Sequence, residues 1–266
     1  MTNGHYALIT GASSGIGCEV AKEFARRGYN LILTARRESR LADIATELKR
    51  SYEIDVSFIV ADLKSHDAPQ KIFDACKGKV VTVIVNNAGY SINKKFHETS
   101  QQEEEDFLRV LSLSAVHLTK LFLPAMLERG YGRVMMISSF AALAPPASGW
   151  GSLYGPVKTF INRIGDSINA NYKHRGITAT NVCPGFTVTE FHQASGLQDS
   201  MDAIPSFMKY SAEFVARGAV RATLAGKRIW IPGMVYKFFG VLLQILPTSV
   251  ILFVARALRL TGGRYD

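Results

Sequence analysis

The chain has 266 residues, 47% of them hydrophobic and 20% charged, with a formal net charge of +9. That length and composition supply a full core and exclude a disordered or low-complexity protein. The basic residues are dispersed rather than gathered on one helix with interleaved aromatics, so no nucleic-acid partner is expected; an acidic ligand or an anionic membrane surface fits the charge better.

Short apolar runs alternate with stretches of helical periodicity, the pattern of repeated βα units and a mainly parallel sheet. Residues 6–10 read as a first strand and 15–27 as a helix with Val20, Ala21, Phe24 and Ala25 on its inner face. Strands follow at 30–34 and 56–60. Between them Leu41, Ile44, Ala45 and Leu48 recur at helical spacing. A short helix at 68–76 leads to an apolar fourth strand at 80–85. Residues 100–128 read as one long helix whose acidic start, Glu103 to Asp106, suits a helix N-terminus. A fifth strand at 133–138, a helix at 153–173 and a sixth strand at 177–183 come next. Residues 186–210 read as irregular, 212–224 as helix and 228–231 as a seventh strand. The fold class expected is α/β: a doubly wound, mainly parallel seven-stranded sheet with helices on both faces, plus a helical C-terminal extension. Residues 1–232 read as one domain, and 233–266 as an apolar helical extension of it.

Three lone cysteines, Cys18, Cys76 and Cys183, form no C-x-x-C, and six scattered histidines form no H-E-x-x-H. The thiols therefore read as free in a reducing compartment, and no metal is implied. No basic segment followed by an apolar one precedes residue 6, so no signal peptide is expected. The location that follows is cytoplasmic, with membrane association left open by the tail.

The chemistry gathers at strand ends. Gly11, Ser13, Ser14, Gly15, Ile16 and Gly17 join the first strand to the first helix. A glycine-rich strand-to-helix turn lets backbone N–H groups and the helix N-terminus approach a phosphate. After the second strand, where an NAD-selective protein carries an acidic residue, stand Arg36 and Arg37. Arginine's planar fork suits a 2′-phosphate, so the cofactor expected is NADP(H). Asp62 and Leu63 follow the third strand, Asn87, Ala88 and Gly89 the fourth, and Ser138 and Ser139 the fifth. All fall on the edge where open α/β sheets bind ligands. Tyr154 and Lys158 lie four apart on one helical face. The ammonium favours the phenolate, so it is expected to bring the tyrosine's pKa down toward working pH and make it a general acid or base.

With TGASSGIG at 10–17, NNAG at 86–89, ISS at 137–139, YGPVK at 154–158 and PGFTVT at 184–189, the chain resembles the short-chain dehydrogenase/reductase family from about residue 6 to 232. The resemblance implies an NAD(P)-dependent oxidoreductase acting on an alcohol/carbonyl pair. Tyr154 would exchange the proton, Lys158 would tune it and bond the nicotinamide ribose, and Ser139 would orient the substrate oxygen. Gly11, Ser13 and Ile16 would line the pyrophosphate and ribose, Asp62 and Leu63 the adenine, and Asn87 to Gly89 the nicotinamide-side ribose. Pro184, Gly185, Thr187 and Thr189 would complete the cofactor site. Ser112 takes the place of an asparagine that helps hold a proton-relay water behind the lysine. The spacing from Ser139 to Tyr154 is two residues longer than usual, with the insert at 144–150. Assembly as a homodimer or homotetramer is expected.

The stretch 238–255 carries no charge, and Pro247 should break it into two helices. Three roles are open: packing on the domain or a dimer partner, covering the substrate cleft, or peripheral membrane contact through 234–259. With Phe186, Phe191, Phe207 and Met208 nearby in sequence, the substrate expected is a small apolar carbonyl or alcohol. The competing reading is a cofactor-binding sensor or scaffold without turnover.

Overall fold

The computed structural model describes residues 4–144, 153–190 and 204–257. Seven strands form one parallel sheet: β1 (His5–Thr10), β2 (Asn30–Ala35), β3 (Val56–Val60), β4 (Val80–Asn86), β5 (Gly132–Ile137), β6 (Ile177–Val182) and a short edge strand, Ile229–Trp230. Their order is β3-β2-β1-β4-β5-β6 and then the edge strand. Every pairing is parallel. The order reverses between β1 and β4, which opens a crevice at their C-terminal ends.

Alternation along the strands builds two cores, since successive side chains point to opposite faces. Ala7, Ile9, Leu31, Leu33, Val83 and Val85 face α1 (Gly15–Arg26) and α2 (Glu38–Tyr52), joined by Val220 of the helix Ala212–Leu224. Leu8, Ile32, Ile84, Val134 and Met136 face the other layer: α3 (Ala68–Ala75), α4 (Gln101–Leu108), α5 (Ser114–Arg129) and α6 (Tyr154–Tyr172). Both layers are fully dry at their centres, with Leu8 and Ile9 inaccessible to solvent.

Two expectations need correction. The long helical region spans Gln101–Arg129 as expected but is not α-helical throughout: α4 and α5 are joined by a π-helical turn at Arg109–Leu113. There the Ser112 hydroxyl donates to the Leu108 carbonyl, and Ser114 donates to that of Val110 at 2.8 Å. Serine hydroxyls that compete for helix carbonyls loosen the regular ladder. Nor is 186–210 wholly irregular, for β7 (Thr187–Val188) pairs in parallel with β8 (Tyr210–Ser211) in a second, two-stranded sheet. The helix Ala212–Leu224, now α7, starts directly from it, with Ser211 Oγ accepting from Phe214 N–H at 3.2 Å. The edge strand Ile229–Trp230 is β9. Beyond it run α8 (Met234–Ile245) and α9 (Thr248–Ala257), separated at Pro247 as expected.

Candidate active site

The glycine turn is shaped by close approach. Gly11 has φ +65°, and a Cβ there would stand 2.9 Å from the Ala88 backbone. A Cβ on Gly17 would stand 2.4 Å from the Gly11 carbonyl oxygen, so α1 can meet the turn only without a side chain. Ser14 occupies the N-cap of α1 without capping it through its side chain, and the first turn carries no acidic residue. The free N–H groups of that turn thus face the crevice, as an anion site requires.

Asparagine and threonine brace this turn against β4. Thr10 Oγ1 donates to the Val85 carbonyl at 3.2 Å and accepts from the N–H groups of Asn87 at 2.9 Å and Ala88 at 3.0 Å. Asn87 Nδ2 donates to the carbonyls of Thr10 at 2.9 Å and Gly11 at 3.2 Å. The side chain of Asn87 thus holds two strand ends together.

One cavity of about 740 Å³ follows this edge, within the range of small-molecule sites. It is lined by every proposed cofactor residue except Gly17, which lies behind the turn: Gly11, Ser13, Ser14, Gly15 and Ile16; Arg36 and Arg37; Asp62 and Leu63; Asn87, Ala88 and Gly89; and Pro184, Gly185, Thr187 and Thr189. Ser139, Tyr154 and Lys158 line the same cavity. A glycine cradle that a Cβ would fill, an uncapped helix N-terminus and two arginines fit a phosphorylated dinucleotide.

The catalytic candidates sit in a dry environment. Ser138 spends its hydroxyl on the Lys158 carbonyl, at 3.1 Å, tying β5 to α6. Ser139 accepts from Ala141 N–H at 3.1 Å and shares a hydrogen bond with the Tyr154 hydroxyl. Lys158 is 5% exposed and donates from Nζ to the Ile137 carbonyl at 2.8 Å. Burial lowers its pKa from 10.5 to about 8.

The expected depression of the Tyr154 pKa is not found. Burial pushes that phenol up to about 12, with the Ser139 hydrogen bond opposing. Lys158 does not offset this, because its ammonium is committed to Ile137 and lies 5.6 Å from the ring centroid. A partly buried phenol and a buried amine are thus each driven toward neutrality side by side.

Ser112 is not brought to this cavity. Its hydroxyl turns back along its own helix to Leu108, and it is buried outside the lining. Val110 lines the cavity on this helix, and Leu111 packs against Gly89. The insert at 144–150 and Phe191 fall almost wholly outside the described residues; of them only Ala144 is described, and it lines the cavity.

Two lining residues carry no sequence signal. Tyr236 of α8 lays its ring on Gly185, accepts from Phe186 N–H at 3.1 Å and donates to the Met208 carbonyl at 3.0 Å. Gly240, one turn on, faces Ile231, Leu143 and Phe140. The tail therefore packs on the domain and forms one wall of the cavity. Glu190 is the second, paired with Arg37 at 3.1 Å.

Comparison with known proteins agrees with this geometry. A family profile described as short chain dehydrogenase matches residues 5–200. The very-long-chain 3-oxoacyl-CoA reductase of Anas platyrhynchos is 31% identical over 255 residues, covering 94% of this chain and 78% of that protein. The Homo sapiens protein of that name is 28% identical, over 70% of this chain and 61% of its own length. Among solved structures, the Sphingobium yanoikuyae short-chain dehydrogenase in complex with NADPH superposes with a TM-score of 0.80 at 23% identity, covering 98% of this chain and 97% of that one. A 7beta-hydroxysteroid dehydrogenase superposes with a TM-score of 0.85 at 20% identity, covering 97% of each chain, and these two likenesses speak for the fold. Profile, relatives and architecture together place the chain in the short-chain dehydrogenase family, as an NAD(P)-dependent oxidoreductase of carbonyl and alcohol groups.

Proposed function

We propose that this chain is an NADPH-dependent reductase of an apolar carbonyl substrate, of the 3-oxoacyl class. The observation that carries the reading is that one cavity is lined by Ser139, Tyr154 and Lys158 together with the glycine turn and the two arginines. The relatives named as 3-oxoacyl-CoA reductases support the substrate class, as do Phe140, Phe186 and Tyr236 around the reacting end.

The bound cofactor supplies the hydride. Ser139 and the Tyr154 hydroxyl, already sharing a hydrogen bond, hold the substrate oxygen between them. Tyr154 stays protonated at neutral pH and so is the proton donor in the reductive direction. Lys158, near the edge of ionisation, restores that proton. With Val110 on the cavity lining, Leu111 against Gly89 and Ser112 turned back on its own helix, this helix brings no polar side chain to the lining, so protons reach Lys158 along the cavity itself.

NADPH oxidation with a series of 3-oxoacyl thioesters and short ketones tests this, with Tyr154→Phe as control. Turnover that rises with acyl length and falls by roughly 10²–10⁴-fold in the variant is expected. Ser112, turned back on its own helix and away from the cavity, favours a second reading, a cofactor-binding protein without turnover. NADPH binding with no oxidation on any substrate would establish it.

Membrane contact belongs to the same proposal. Opposite the Tyr236 face, α8 and α9 expose Met234 (77%), Phe238 (67%), Ile245 (73%) and Phe253 (73%). No acidic residue occurs between Glu213 and Asp266, whereas eight basic residues do, Lys237 among them. An apolar helix face in a basic setting suits an anionic bilayer surface. Co-sedimentation with vesicles that contain phosphatidylserine, but not with phosphatidylcholine vesicles, is the expected result. The three cysteines are free thiols, in keeping with a reducing, cytoplasmic compartment, and light scattering measures the expected homodimer or homotetramer.

A further inference from the structure

We infer that Glu190 sets the preference between NADPH and NADH, by competing with the cofactor's 2′-phosphate for Arg37. The inference rests on the reading that Arg37 faces that phosphate.

Arg37 presents a planar fork with two usable edges. One edge is spent on the phosphate turn. Nη2 donates to Ser14 Oγ at 2.7 Å and to Ser13 Oγ at 3.1 Å, and Nε donates to Ser13 Oγ at 3.3 Å. The other edge is occupied by Glu190, whose Oε2 lies 3.1 Å from Nη1. Arg40 adds a second cation, 3.8 Å from Oε1 of the same carboxylate.

Glu190 reaches this place from the far side of the cleft. It follows Thr189, which stands against Gly15, and it meets Arg37 across 153 residues of chain. Arg37 and Glu190 both line the same cavity. Arg36, beside them on that lining, takes part in no ion pair among the described residues. One cation is therefore open to an incoming anion, while the other already holds an internal one.

A carboxylate on an arginine fork mimics the contacts a phosphate would make. A 2′-phosphate entering here meets Glu190 as a like charge and must take its place on Arg37. A cofactor with a bare 2′-hydroxyl brings no such charge and leaves the pair intact. Glu190 thus subtracts from NADPH affinity alone. The pair is nearly half exposed on both sides, so its strength is that of a surface ion pair, and the effect is modest and sensitive to salt.

Fluorescence titration of NADPH and of NADH, at low and high ionic strength, tests this on four proteins: wild type, Glu190→Gln, Arg37→Ala and the double variant. Glu190→Gln is expected to tighten NADPH by roughly two- to fivefold at low salt and to leave NADH unchanged. In the Arg37→Ala background the same change should have a smaller effect on NADPH, since only like-charge repulsion remains, and none on NADH. Tighter binding of both cofactors, weaker binding of NADPH, or an effect undiminished by the loss of Arg37 overturns the inference. If Arg37→Ala weakens NADPH selectively while Glu190→Gln changes nothing, the competition is wrong and the phosphate reading stands. If Arg37→Ala weakens both cofactors equally, both fall. A thermal midpoint for Glu190→Gln within the wild-type range, measured without cofactor, excludes a folding origin for the change.

Discussion

Replacing Lys158 by methionine should make the protein less dependent on pH, and the structure gives the size of the effect. Lys158 is buried, and its pKa falls from 10.5 to about 8. Below pH 8 the lysine is charged in both folded and unfolded chains, so the full cost of burying an ammonium is present. Between pH 8 and 10.5 the unfolded chain holds a proton that the folded chain has released, so stability from this site rises with pH. Above 10.5 both are neutral and the cost is gone. A shift of this size is worth ~3 kcal/mol across the whole window, and ~2 kcal/mol of it is reached by about pH 9.5. Lys158→Met removes the titrating group and keeps most of the side-chain volume. Ionisable groups that do not touch Lys158 cancel in the difference, and Cys183, which does couple to it, is held by burial at about 12 and stays protonated in the folded chain over this range. Urea unfolding of both, without cofactor, at neutral pH and at intervals up to about 9.5 measures that difference. It also stays below the range where Tyr154 titrates, since burial holds that phenol at about 12. Wild type should gain ~2 kcal/mol on the variant over this range. A difference that stays constant with pH would refute the argument that burial sets the lysine's charge.

Other outcomes follow from the same geometry. Gly17→Ala puts a methyl group 2.4 Å from the Gly11 carbonyl oxygen, and should cost ~1–3 kcal/mol in thermal or urea unfolding together with weaker cofactor binding. Arg36→Asp places a negative charge where a cation has no ion-pair partner among the described residues, and should weaken NADPH binding far more than NADH binding in fluorescence titration; equal losses would count against a 2′-phosphate site. Ser112→Ala removes a hydroxyl bonded only within its own helix, so turnover should stay within about twofold of wild type. A loss of an order of magnitude would return that serine to the proton path.

Much of this was legible in the residue string because it is local. The strand at 56–60 and the helix at 212–224 agree with the structure to the residue. The first is a β-branched run, and the second begins at a serine cap. The glycine turn and the Tyr154/Lys158 spacing are equally local, and the cavity gathers them. What the string hides is of two kinds. The π turn arises from serines competing with their own backbone, a process that leaves hydrophobic periodicity untouched. Strands β7 and β8 have two residues each, too few for alternation to register. The second kind is contact at a distance. Glu190 meets a partner 153 residues away, and Tyr236 one 50 residues away. No spacing rule encodes either meeting. The tyrosine's pKa departs from the sequence expectation for a related reason: four-residue spacing puts the lysine nearby, but only the fold commits its ammonium to Ile137.

The anchoring of Tyr236 separates two jobs that a single sheet edge would otherwise have to share. Its hydroxyl is held by a backbone N–H and a backbone carbonyl, which any side chains at Phe186 and Met208 would provide. Its ring rests on a glycine. The attachment of α8 therefore runs through two backbone groups and one glycine, with the rings of Phe140 and Tyr210 against the tyrosine. Residues of α8 other than Tyr236 can change in bulk without moving Ser139, Tyr154 or Lys158, which hang from β5 and α6. The reaction is fixed in the sheet, and the dimensions of the chamber are left to an appended helix. A scaffold divided in this way can take up substrates of new size by altering the tail alone.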